Sequence, residues 1–418
     1  MQTIAPIYIG ENAINELLAY LNQQNLMHCT LVADENTYAA LGQQVDAALR
    51  AQDKFDVTTL VLTGKEIVAD AHTVMQVLVQ APVADQTFIA AGSGTITDIT
   101  RFASHRSKNS FISMPTAPSV DGFTSVGAPL ILNGVKQTLH CQPPLAVFAD
   151  LPTLMHAPRE LIAAGFGDIV GKYTSLADWQ LGRMLWDEPY DEAIAGRART
   201  GLEACIRHAG EIGTATADGI RHLMDSLIES GLCMMALGNS RPASGAEHHC
   251  SHYWEMMLLA EGRPAILHGA KVGFATTLIV DQYHKIHAMS AQEAVDRLAV
   301  AELPDRDEEI AAIRETYGDA ADGIIEEHTA FLDMIPERFG EVKRRIIDHW
   351  RDIQALAATL PEGADLVDNL KSVGAPATAE ALGLTADEVH RARQFGHYLR
   401  NRFTVMKLSR ILGLPLTD

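Results

Sequence analysis

Short runs of β-branched and other apolar residues alternate with amphipathic stretches through the first 150 positions, and then the strand signal stops. Residues 29–33, 57–62, 87–91, 111–114 and 145–149 read as strands, while 36–50 and 71–80 carry helical spacing. Strands separated by helices predict βαβ units, hence a mostly parallel sheet covered by helices. Within 128–140 an Asn-Gly pair between two β-prone runs predicts a hairpin projecting from the sheet edge. From residue 151 onward, segments rich in Ala, Leu, Glu and Arg continue with helical spacing, among them 195–208, 219–237, 252–260 and 387–411. The expected architecture is an α/β N-terminal domain with a Rossmann-like parallel sheet, residues 1–155, followed by an all-α domain, residues 156–418. Pro152 and Pro158 interrupt regular structure at the boundary.

Composition narrows the partners. The formal net charge of −20 makes the chain as a whole repel phosphate backbones and anionic membranes, which disfavours nucleic acid and membrane surfaces. An anionic small-molecule substrate would have to be met by a local metal, helix N-terminus or cationic side chain. The five cysteines are an odd number without any CxxC, so neither a disulfide framework nor a cysteine zinc site is expected. The N-terminus lacks a basic stretch leading into an apolar run, and no segment stays apolar long enough to cross a bilayer. The expected location is the cytoplasm, and the default assembly is a homodimer.

Three clusters carry chemistry. The first is an apolar strand running into Gly92, Ser93, Gly94, Thr95 and Ile96, a turn whose backbone N–H groups can approach a pyrophosphate at a helix start. It lacks the third glycine of GxGxxG, and a plain tight turn is the alternative. The second follows another strand: Thr116, Ser119, Asp121 and Ser125 place hydroxyls and a carboxylate where α/β sheets bind ligands, unless they only satisfy their own loop. The third lies in the helical part. His248 and His252, four apart, share a helix face; with His268 and the carboxylate of Asp168 they offer the ligands of an open catalytic site for zinc, nickel or iron(II). A surface or core histidine and a helix cap are the alternative readings.

In this order, GSGTITDITR, PTAPSVDGFTS, GFGDIVGKYTSLADW, SRPASGAEHHCSH and LHGAKVG resemble the glycerol-1-phosphate dehydrogenases, in their bacterial AraM-like branch. That branch lies within the superfamily of iron-containing alcohol dehydrogenases, glycerol dehydrogenases and dehydroquinate synthases. The resemblance implies a dehydroquinate synthase-like fold and an NAD-linked enzyme, with NADP possible. Gly92, Ser93, Gly94, Thr95 and Ile96 would cradle the cofactor pyrophosphate, and Thr116, Ser119 and Ser125 would contact the cofactor further along. Asp34, with Glu35 beside it, would meet the adenine ribose, where two carboxylates oppose a 2′-phosphate and favour NAD. Asp168, His248 and His268 would be the metal ligands. Asp121 and Asp168 would lie near the substrate, and His252 would bind it or pass on its proton. His249 matches no ligand position.

The reaction implied is reversible hydride transfer between a nicotinamide and C2 of dihydroxyacetone phosphate or sn-glycerol 1-phosphate, with the metal as Lewis acid. Arg241, before the histidine helix, and Lys136, on the hairpin, are the candidate cations for the substrate phosphate, with a surface charge or a structural ion pair as the alternative for each. A dehydrogenase for an unphosphorylated polyol such as glycerol differs by one charged group. A dehydroquinate synthase-like cyclase is kept open by Lys172, although Asp168 stands where that enzyme has glutamate. A zinc hydrolase would need glutamate after the first histidine, where His249 stands. A non-catalytic nucleotide binder would not need Asp168, His248 and His268 intact.

Overall fold

Every strand of the main sheet runs parallel. A computed structural model describes residues 3–64, 66–132 and 135–416, and its chain begins β1 (Ile7–Gly10), α1 (Ala13–Gln23), β2 (His28–Asp34), α2 (Glu35–Thr37), α3 (Gln43–Arg50), β3 (Asp56–Leu62), α4 (Ala71–Gln80), β4 (Thr87–Ala91), α5 (Gly94–Arg106) and β5 (Ser110–Met114). It continues through β6 (Gly127–Leu132), β7 (Val135–His140), β8 (Val147–Asp150), α6 (Leu151–Met155) and α7 (Arg159–Val170). The strand order is β1-β8-β5-β4-β2-β3. Its pattern is that of a sheet buried on both faces: all five residues of β4 are buried. Alternate residues feed two cores. Leu31, Ala33, Ile89, Ala91, Ile112 and Met114 pack with α1 and α3, and Val32, Phe88, Ala90 and Phe111 pack with α4 and α5. Each large apolar side chain so buried contributes about 1.5–3 kcal/mol.

Three local features differ from the expectations. β1 is too short and glycine-ended to announce itself, and it joins the edge beside β8. The helical stretch 36–50 is divided by a π turn, Tyr38–Gly42, after Asp34 closes a capping box with Thr37. The hairpin β6–β7 does form, with its Asn133-Gly134 turn outside the described residues. It does not project from the sheet edge: Leu130, Leu132 and Leu139 pack into the core shared with α4 and α5, and Ile131 N donates to Ala69 O at 2.8 Å. Burying those three leucines outweighs leaving the ribbon in solvent.

After β8 the described chain has helices and no further strand; α6 and α7 are followed by α8 (Lys172–Trp186), α9 (Glu192–Arg207), α10 (Ala209–Gly213), α11 (Ala217–Leu237), α12 (Ala246–Ala260) and α13 (His268–Ala288). Two units emerge. The first ends at Ile169 but takes back Glu203–Ala236; the second holds Val170–Leu202 and the chain from Leu237 onward. No described helix is long and apolar enough to cross a membrane. The expected helix 387–411 is two helices, Ala386–Phe395 and Val405–Ile411, around a 3-10 turn and an open segment. In that segment Arg402 donates to the carbonyls of Ser240 and Ser244 and to Ser240 Oγ, bonds a continuous helix would not place there.

The second unit is organised around Asp178 of α8, fully buried. Its Oδ2 accepts from Ala246 N at 2.7 Å, and its Oδ1 accepts from Val405 N at 2.7 Å and from the Tyr283 hydroxyl at 2.6 Å. The N-termini of α12 and of helix Val405–Ile411, neither with a side-chain cap of its own, thus share one distant carboxylate. Asp178→Ala would leave two buried N–H groups and a phenol without their acceptor, each costing about 1–3 kcal/mol. Denaturant unfolding should show a loss of roughly 3 kcal/mol or more by that principle; an unchanged midpoint would deny Asp178 this role.

Candidate cofactor loops and metal centre

β2, β4 and β5 are neighbours, so the residues after them line one edge of the sheet. The chain leaves β2 toward β3 on one side and β4 toward β5 on the other, which puts the crossover crevice between β2 and β4. Asp34 ends β2 there, although its Oδ1 accepts from Thr37 N at 2.8 Å and so also caps α2. Gly92 follows β4, its N–H bonded to Met114 O at 3.1 Å. Ser93 has φ −80° and no capping bond to α5, so its side chain leaves the N–H groups of the first turn open. Its hydroxyl instead meets Ser119 Oγ at 2.6 Å. A Cβ on Gly92 would lie 2.4 Å from Ile96 Cβ, and one on Gly94 would lie 3.0 Å from Val120. Thr95 is exposed at the helix start and Ile96 is buried beneath it. An uncapped 13-residue helix behind a glycine turn fits a pyrophosphate.

The loop after β5, residues 115–125, is held from three directions. Gly165 of α7 lets the helix backbone approach so closely that a Cβ would sit 1.8 Å from Pro118 O; a Cβ on Gly231 of α11 would sit 2.2 Å from Thr124 Oγ1. Arg101 of α5, fully buried, donates to the carbonyls of Gly122, Phe123 and Gly127 and pairs with Asp98 at 2.6 Å. Burial pushes the Asp98 carboxyl up to about 6 against the pull of Arg101. Thr116 and Ser119 are buried in this loop, and Ser125 Oγ donates to Gly122 O at 3.2 Å. Asp121 N donates to Asp168 Oδ2 at 3.0 Å, while Ser230 Oγ donates to Asp121 Oδ2 at 2.7 Å. The structure therefore brings the two acidic residues together. Arg101 and Ser230 carried no signal beyond their places in a motif and on a helix.

In the second unit α12 begins at Ala246, well before residue 252, and carries His248, His249 and His252. The ring centroids of His248, His252 and His268 lie 5.1, 5.6 and 6.1 Å apart pairwise. His248 Nδ1 is 2.7 Å from Glu247 Oε1. Burial works to raise the Glu247 carboxyl, but the bond and charge of His248, with Thr174 and Gly245 N–H, hold it below its usual value. A carboxylate on Nδ1 is the partner that metal-ligating histidines commonly have, with Nε2 as their ligand atom. His252 Nδ1 is 3.4 Å from Glu255 Oε2, and Lys271 Nζ is 3.4 Å from Glu255 Oε1. Burial brings His252 down to about 4, against the opposing pull of Glu255. His252, Glu255 and His268 also have donor atoms within 4.8 Å of one another, although Lys271 competes for that carboxylate. His249 points elsewhere: it is fully buried, neither ring nitrogen has a hydrogen-bond partner among the described residues, and burial takes its pKa well below 6.5. Arg241 is paired with Glu188 at 2.5 Å, and Lys172 donates to Ala243 O at 3.2 Å.

Residues 8–158 match the family described as iron-containing alcohol dehydrogenase. The whole chain is similar to glycerol-1-phosphate dehydrogenase (NAD(P)+) of Halalkalibacterium halodurans, 40% identical over 403 residues, covering 96% of this chain and 90% of that one. The Bacillus subtilis protein of the same name is 40% identical over 408 residues, covering 97% and 91%. The chain belongs to the glycerol-1-phosphate dehydrogenase family. Its fold is that of the iron-containing alcohol dehydrogenase of Corynebacterium glutamicum, with a TM-score of 0.62 at 14% identity over 100% of this chain and 97% of that one.

For this family member the glycine turn yields a direct test. Gly94→Val adds bulk toward Val120 at the start of α5, and should weaken nicotinamide-cofactor binding at least tenfold while leaving metal content as in the parent. Fluorescence titration with NADH reads it; unchanged affinity would reduce the turn to a structural bend.

Proposed function

We propose that this protein is an NAD(P)-dependent sn-glycerol-1-phosphate dehydrogenase, interconverting sn-glycerol 1-phosphate and dihydroxyacetone phosphate. The observation that carries the reading is 40% identity along nearly the whole chain to enzymes of that name, and it is supported by the uncapped start of α5 behind the glycine turn and by the cluster of His248, His252 and His268. In this reading residues 1–155 bind the nucleotide and 156–418 the metal and substrate. Asp168, His248 and His268 offer one carboxylate oxygen and two imidazole nitrogens, and would hold one divalent ion, zinc, nickel or iron(II), which supplies Lewis-acid charge at the C2 oxygen; the nicotinamide supplies or takes the hydride.

The remaining work falls to the chain. Gly92, Ser93, Gly94, Thr95 and Ile96 bind the pyrophosphate at the start of α5, and the hydroxyls of Thr116, Ser119 and Ser125 align the cofactor. Asp34, beside Glu35 at the end of β2, takes the adenine ribose and favours NAD over NADP. Asp121, whose carboxylate is steadied by Ser230, orients the substrate. His252, neutral at ordinary pH, accepts a hydrogen bond or proton from the substrate hydroxyl. A cytoplasmic homodimer is the assembly expected for such an enzyme.

Rates with sn-glycerol 1-phosphate, its sn-3 enantiomer and glycerol, each with NAD and NADP, test the assignment: turnover should be confined to the sn-1 ester, and preference for glycerol would overturn it. His268→Ala should give a folded protein depleted of metal; full metal content would remove that ligand. His252→Ala should keep metal and cofactor and lose roughly two to four powers of ten in rate, the range of a positioned acid or base. Metal loss in that variant would make His252 a ligand, and parental turnover would make it a bystander.

A further inference from the structure

Glu247 has no part in the mechanism above, yet it is a fully buried carboxylate whose acceptor sites are filled by groups from α8 and α12. Oε1 receives Gly245 N at 2.6 Å and His248 Nδ1 at 2.7 Å; Oε2 receives the Thr174 hydroxyl at 2.6 Å. Sequence neighbours on a helix normally point about 100° apart, so a contact between Glu247 and His248 requires the glutamate to fold back over the helix start. Two features hold it there. Gly245 has no side chain because a Cβ would lie 2.9 Å from Glu247 Oε2 and 2.7 Å from Asp178 Oδ2. Thr174 anchors the second oxygen, its own hydroxyl also lying 3.3 Å from Gly171 O. By contrast the Glu255–His252 contact is 3.4 Å long and partly exposed.

We propose that Glu247 is a positioning residue for His248: by accepting its Nδ1–H it fixes the ring orientation and tautomer, and its charge raises the basicity of Nε2 toward a divalent cation. The inference rests on the proposed ligand role of His248. A buried, immobilised carboxylate on the far nitrogen of a ligating histidine changes metal affinity by about 10–100-fold in such sites. Capping alone would act on stability instead.

Glu247→Gln separates the two roles. The amide oxygen can still accept from Gly245 N and His248 Nδ1, and the amide nitrogen can donate to Thr174, whose hydroxyl accepts as well as donates and can turn its proton to Gly171 O. The shape and bonds survive while the charge is lost. Zinc affinity of the metal-stripped full-length protein, measured by competition with a chromophoric chelator, should fall about 10–100-fold, with the melting temperature nearly unchanged. The visible spectrum of the cobalt-substituted protein should shift. Thr174→Val, which releases Oε2, should give a smaller loss in the same direction. Parental zinc affinity and spectrum in Glu247→Gln would overturn the proposal, as would a fall in stability and affinity together while Thr174→Val binds zinc normally. If the parent takes up no divalent ion, or His248→Ala takes up as much as the parent, the ligand assignment itself fails and this inference with it. Parental uptake, lost in His248→Ala but unchanged in Glu247→Gln, would sink the positioning role alone.

Discussion

Two ionisable carboxylates, Asp178 and Glu247, lie buried within one unit, and the helical unit depends on how their acceptor sites are filled. Burial first, and then the charge of Glu247, pushes Asp178 up to about 7. Such a pair is tolerated because backbone N–H groups, Tyr283, Thr174 and His248 supply donors from four separate helices and turns. Those donors set the start of α12, and the start of α12 sets which way His248 and His252 face. Gly245 is the steric consequence: the two carboxylates occupy the room where any side chain there would go.

The first unit solves a different problem, holding an irregular loop rigid at the end of a sheet. Residues 115–125 make few bonds among themselves. They are fixed by Arg101 from beneath and by two helices whose glycines, Gly165 and Gly231, permit backbone contact. Ser230 and Asp168 then settle Asp121. A guanidinium with 0% exposed side chain is costly unless its donors find partners; Nη1 and Nη2 of Arg101 meet Asp98 and the carbonyls of Gly122, Phe123 and Gly127, and so couple α5, and with it the glycine turn, to the loop. In a chain of net charge −20 an anion would have to be met by local groups, such as the N–H groups at the uncapped start of α5, and not by any general field.

Burial also sorts the histidines. His249, His252, His328 and His397 all have their pKa lowered, with desolvation the largest cause. A run such as His248-His249 reads as one feature in the sequence, but a helix turns the two rings apart. One meets a carboxylate and two other imidazoles; the other enters a core beside Arg402 and Lys407 without a hydrogen-bond partner among the described residues.

The sequence alone determined what short-range periodicity can encode: parallel strands alternating with helices up to residue 150, helices after it, turns with glycine and hydroxyl residues directly after β4 and β5, and a shared face for His248 and His252. Each follows from neighbours a few residues apart. Only the tertiary structure decided the rest. The hairpin lies on α4 and α5 because three leucines gain more from that core than from solvent. Helix α12 starts at Ala246, without a local Ser, Thr or Asp cap, because Asp178 caps it from 68 positions away. Glu247 faces His248 because Thr174 and Gly245 hold it there, and Ser230 reaches Asp121 across 109 positions. Buried polar groups must find partners wherever the fold brings them, and a requirement met by residues so far apart leaves no periodic trace in the sequence.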